Sequence, residues 1–110
     1  MKEMVAMTTI GQPFTSANWQ VKEGNEEEFI RRWTAFTQWA QREASGAQGF
    51  VLIRQAEDPR HFVSFGSWES KEAVDRWRST PEFMQHLGSC RALCEDFRPA
   101  DSTVAAAVAP

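Results

Sequence analysis

At 110 residues the chain is sized for one domain, and a domain that small buries a modest share of its surface, so a second subunit would help to cover apolar area. Five Trp and eight Phe with no Tyr exclude any chemistry that needs a phenol as acid, base or radical site. The net charge of -3 comes from interspersed groups, Glu26 to Glu28 beside Arg31 and Arg32 and Asp75 beside Arg76 and Arg78, and with no basic stripe neither nucleic acid nor an anionic membrane is an expected partner.

Residues 1–13 lack periodicity and carry three Met, which reads as a leader or an arm ahead of a domain over 14–110. Lys2 and Glu3 interrupt any apolar run there, no stretch is long enough to span a membrane, and a cytoplasmic protein is expected. Phe14 to Val21 has strand length and composition and ends at the turn Lys22-Glu23-Gly24. Asn25 is placed to cap a helix, with Glu28 three residues on, and Phe29, Trp33, Phe36 and Ala40 recur at helical spacing as a face that packs on a sheet.

Ser45-Gly46 stops that helix, Phe50 to Arg54 is a short apolar strand, and Glu57-Asp58-Pro59-Arg60 turns the chain into a further strand from His61 to about Trp68. Ser70 caps a second helix carrying Ala73, Val74 and Trp77, and Thr80-Pro81 is a fresh helix start, so this helical region is split near Ser79. Its second half presents Phe83, Leu87, Cys90 and Cys94 on one face. The spacing of the two Cys and the lack of further ligands fit reduced, partly buried thiols better than a zinc site. A polar segment, Glu95 to Asp101, then leads into Ser102 to Val108, read as a closing strand or a swapped arm.

The order is βαββαβ, an α+β arrangement of the ferredoxin-like kind with one antiparallel sheet and the helices on one face. The other face needs a cover, and an identical subunit is the simplest one.

Val21-Lys22-Glu23-Gly24 with Glu28-Phe29, Gly49-Phe50, Asp58 to Val63, and above all Ser67-Trp68-Glu69-Ser70-Lys71-Glu72-Ala73 carry a resemblance in order and separation over roughly residues 15 to 105. The chain resembles the antibiotic biosynthesis monooxygenase superfamily. The resemblance implies a dimeric α/β-barrel with a pocket between sheet and helices. The family includes heme-degrading monooxygenases, cofactor-independent quinone-forming ones and members of unknown activity, and fold alone does not choose among them.

His86 falls nine residues after Trp77, which falls nine after Trp68. Similarity to the heme-degrading members implies heme as cofactor, His86 as its iron ligand, Trp77 and Phe83 against the macrocycle, Trp68 as pocket support, and an external electron donor. Those enzymes carry a distal Asn where this chain has Ala17, with Asn18 one residue later, and a one-residue shift turns Asn18 to the other face unless a bulge restores it. The quinone-forming members imply an alternative, oxidation of a polycyclic phenol or anthrone-like substrate without a cofactor. Their Tyr and Asn partners are replaced here by Val74 and Ser64. A third reading, a dimer that only binds an apolar aromatic ligand, is served by Trp33, Phe36, Trp68, Trp77 and Phe83. His61 beside Arg60 reads as a solvated residue near a turn.

Overall fold

The computed structural model describes residues 9–110. In chain order it contains β1 (Pro13–Val21), α1 (Glu26–Glu43), β2 (Ala47–Arg54), β3 (His61–Trp68), α2 (Lys71–Arg78), α3 (Pro81–Arg91) and β4 (Cys94–Thr103). The strands form one antiparallel sheet in the order β2-β3-β1-β4, the ferredoxin-like arrangement expected from the element order.

Side-chain alternation decides which face meets the helices. On β1 Ala17, Trp19 and Val21 are buried while Asn18 between them is exposed, and the ladder pairs Ala17 with Ser64 and Trp19 with Phe62. Phe29, the first apolar residue of α1, closes the layer from above, with its ring 5.1 Å from both Trp19 and Phe62 and no exposed surface. Truncating it to Ala would remove about 3–5 kcal/mol.

Helix starts behave as their chemistry dictates at two of three places. Ser70 accepts from the Ala73 amide at 3.1 Å, and Thr80 accepts from the Phe83 amide at 3.3 Å with Pro81 at the head of α3. Asn25 holds the cap position of α1, but its side chain makes no capping bond: at ψ 10 its backbone is not extended. Nor does Glu28 serve a capping box, because Arg31 and Arg32 both engage it. Gly46, at φ +93, lets the chain leave α1 close to α2, where an added Cβ would stand 2.6 Å from the Ala73 Cβ.

Three boundaries differ from expectation. β2 begins at Ala47, three residues early, because a bulge between Ala47 and Phe50 lets the segment pair with the end of β3. The closing strand is not Ser102 to Val108 but Cys94–Thr103, so the polar segment is itself the strand. It lies at the sheet edge and pairs only with β1, and alternate residues, Phe97, Pro99 and Asp101, reach the cavity on the helix side. Since α3 ends at Arg91, Cys94 opens β4 rather than extending a helix face, while Cys90 stays in α3 and is fully buried; both thiols are free. Most of the proposed N-terminal arm lies outside the described residues, but Gly11 and Gln12 pair with Val104, and Pro13 already belongs to β1.

Candidate functional site

Between the sheet and the helices lies a cavity of about 370 Å3. Its floor is β1 and β3 from Thr15 to Trp19 and Ser64 to Gly66. Its roof is Trp33 and Phe36 of α1, Trp77 of α2, and Phe83 and Leu87 of α3, and Phe97 and Pro99 of β4 close one side. Gly66 keeps the floor open, since a Cβ there would meet the Phe50 ring at 2.7 Å and the Thr15 hydroxyl at 2.8 Å. The volume and the largely apolar lining fall in the range of small-molecule sites.

The aromatic wall is tightly built. Trp68, fully buried, sits 4.7 Å from the Trp77 ring and edge-on to Phe50 at 5.7 Å. Trp77 in turn stacks on Phe36 at 5.6 Å and meets Phe83 edge-on at 4.7 Å. Trp68 thus seals the junction of sheet and helices just ahead of the Ser70 cap. Buried indoles need acceptors, and two find them on the cavity floor: Trp19 Nε1 donates to Ser64 Oγ at 3.0 Å and Trp68 Nε1 to Thr15 Oγ1 at 3.1 Å. Each hydroxyl oxygen is thereby committed as an acceptor, and among the described residues neither hydroxyl donates in return. Thr15 and Ser64 are diagonal neighbours on adjacent strands, since Thr15 lies opposite Gly66 and Ala17 opposite Ser64. Trp77 adds a buried Nε1 that has no partner among the described residues. The floor therefore offers hydrogen-bond donors to an oxygen of whatever occupies it.

At the mouth, Arg78 makes a two-pronged bond to Asp101 at 2.8 and 2.7 Å. That bond holds the Asp101 carboxyl below its usual range and raises Arg78.

Of the expected residues, Trp77 and Phe83 line the cavity, Trp68 packs behind Trp77 without lining it, and two lie away from it. Asn18 lies on the opposite, exposed face, its Oδ1 2.8 Å from His61 Nε2. The register shift in the β1–β4 pairing comes after it, between Gln20 and Val21, and does not return it to the inner face. His86 does not line the cavity, because its ring lies flat on Phe36 at 5.6 Å and 5° and on Trp39 at 4.9 Å. The two nine-residue steps from Trp68 do not share a direction, since Ser79 and Thr80 break the helix between them.

The wall does not fit a heme: no His, Cys, Met or Tyr, the residue types that hold heme iron, is among its lining residues. Among the described residues no group of three or more His, Cys, Asp or Glu could hold a metal ion. Nor is any helix among them long and apolar enough to cross a membrane. Thr15 was not singled out by the sequence, and Ser64 only as a missing Asn. The available signal was that Thr15, Ala17, Trp19 and Val21 share one parity of β1.

The profile of the family described as antibiotic biosynthesis monooxygenase matches residues 14–87. The chain belongs to that family. No curated protein matches this family member. Among solved structures, SnoaB from Streptomyces nogalater, described as a cofactor-independent oxygenase, aligns with a TM-score of 0.81 at 19% identity over 89% of this chain and 97% of its own. A conserved protein of unknown function from Bacteroides thetaiotaomicron, described as a possible oxidoreductase, aligns at 0.76 and 16% over 87% of this chain and 100% of its own. A conserved protein from Methanosarcina mazei Go1 aligns at 0.76 and 13% over 86% and 93%. At such identities the likeness is one of fold.

Proposed function

We propose that this chain is a monooxygenase that oxidises a flat phenol- or anthrone-like substrate in the sheet–helix cavity, with the substrate's own enolate delivering electrons to oxygen. The observation that carries the reading is the pair of hydroxyls on the floor, Thr15 and Ser64, each with its oxygen occupied by an indole N–H and its proton free. Donors fixed in an apolar, water-poor site stabilise a developing oxyanion far better than they would in water. The wall supplies no strong base, since its one titratable acceptor is a carboxylate, Asp101, a weak base. Its work is to lower the cost of the enolate, whose proton leaves through the mouth. The enolate carbon then takes up oxygen, and the ring methylene becomes a carbonyl as one oxygen atom stays and the other leaves as water.

The test is oxygen uptake on anthrone, with quinone formation followed by absorbance. Ser64→Ala and Thr15→Val should each lower kcat, by on the order of 10²-fold where the donor is directly on the oxyanion. Wild-type turnover unchanged in both variants would remove the hydroxyl pair from the reaction. The family and the SnoaB likeness support an oxygenase.

The open sheet face is proposed to be covered by a second copy. Val51, Ile53, Val63 and Phe65 alternate onto that face from β2 and β3, and Ile53 keeps 45% of its surface exposed.

A further inference from the structure

Arg78, the last residue of α2, is the one cation among the residues lining the cavity. It holds Asp101 of β4 in the planar, two-pronged geometry that a guanidinium makes with any carboxylate. The pair spans the mouth, for Asp101 lies opposite Thr15 in the ladder, so its carboxylate stands at the rim next to the hydroxyl floor. The two partners are unequally placed: the Asp101 side chain keeps 62% of its surface exposed and Arg78 only 33%. A pair this open to water is weakly held. A carboxylate arriving on a ring body that also buries itself among Trp33, Trp77 and Phe83 has an advantage that Asp101, a lone side chain at the rim, lacks.

We propose that the cavity selects flat aromatic acids, with the rings between the Trp and Phe side chains and the carboxylate on Arg78 in exchange for Asp101. Asp101 is then a displaceable stand-in for the acid group, and Arg78 is a specificity-determining residue at the mouth. The proposal rests on the reading of the cavity as a site for a flat aromatic substrate, and it adds the charged group that such a substrate bears.

The experiment compares 9-anthracenecarboxylate with 9-anthracenemethanol by calorimetry on the full chain at pH 7, for wild type, Arg78→Met and Asp101→Asn, each checked for an unchanged circular dichroism spectrum. Wild type should bind the acid roughly tenfold more tightly than the alcohol. Arg78→Met should abolish that preference. Asp101→Asn should tighten the acid about fivefold relative to the alcohol. Equal affinities in wild type, a preference that survives Arg78→Met, or a preference indifferent to Asp101→Asn would each overturn the proposal. Binding of neither compound would overturn it together with the aromatic site itself, whereas preferential acid binding without oxygen uptake on anthrone would refute the oxygenase reading alone.

Discussion

The bond between Trp68 and Thr15 can be weighed by a double-mutant cycle. Trp68→Phe removes a 3.1 Å indole bond and part of a ring that packs on Trp77 and Phe50 with no exposed surface. The lost bond contributes about 1 kcal/mol and the void a further 1–2 kcal/mol, roughly 2–3 in all. Thr15→Val keeps the shape but strands a buried indole N–H, which costs about 1–3 kcal/mol. In the double variant no indole remains to be stranded, so the combined loss should fall short of the sum by about 1 kcal/mol. Urea unfolding at one fixed protein concentration measures it, since any association shifts the midpoint. Additivity to within about 0.3 kcal/mol would show that the two side chains are not coupled and would remove the reason for treating the Thr15 proton as free.

Three other outcomes are expected. Burial pushes the Cys90 thiol up to about 12 and Cys94 up to about 11, from an ordinary 9.0. Folded values above the unfolded one mean that the neutral thiols' contribution is complete below pH 9 and is lost as pH rises through the folded values. Both thiols should therefore react slowly with a disulfide reagent at pH 8 in the native state and rapidly in urea, and fast native reaction would contradict their burial. On the proposed dimer, wild type should sediment at twice the mass of the chain and Val63→Glu on the open sheet face should reduce it to a monomer, and an unchanged mass would place any interface elsewhere. Oxygen uptake on anthrone should climb with pH along with the substrate's own ionisation, because the wall supplies no strong base; a bell with an acid limb set by the enzyme would point to a base in the site.

Much of the fold was legible because local chemistry and pattern agree along most of the chain. Phe29, Trp33, Phe36 and Ala40 recur every three or four residues, and each of the five buried residues of α1 except Thr37 is one of them. Ser70 and Thr80-Pro81 mark helix starts that the backbone uses. The edge strand was hidden because Glu95 to Asp101 is mostly solvent-facing and offers little apolar alternation, while its pairing with β1 is made across some 80 residues of sequence. The walls of the site were legible as large aromatics. Its chemistry was not, because the bonds that define it join residues 45 and 53 positions apart and depend on strand register. His86 shows the converse: similarity to the heme-degrading members implied a pocket shared with Trp77, but α2 and α3 are separate helices, divided at Ser79 and Thr80, and the ring lies on Phe36 and Trp39.

The most direct test of the cavity as the reaction site sets Ala17→Leu beside His86→Ala in the anthrone oxygen-uptake assay. Ala17 is a small, nearly buried residue of the floor, so a leucine there fills the space that a substrate needs, while His86 lies outside it. Expected is loss of turnover in Ala17→Leu, with the fold intact by circular dichroism, and turnover near wild type in His86→Ala. Full activity with the cavity filled, or activity lost with His86 alone, would contradict the assignment of the chemistry to this cavity.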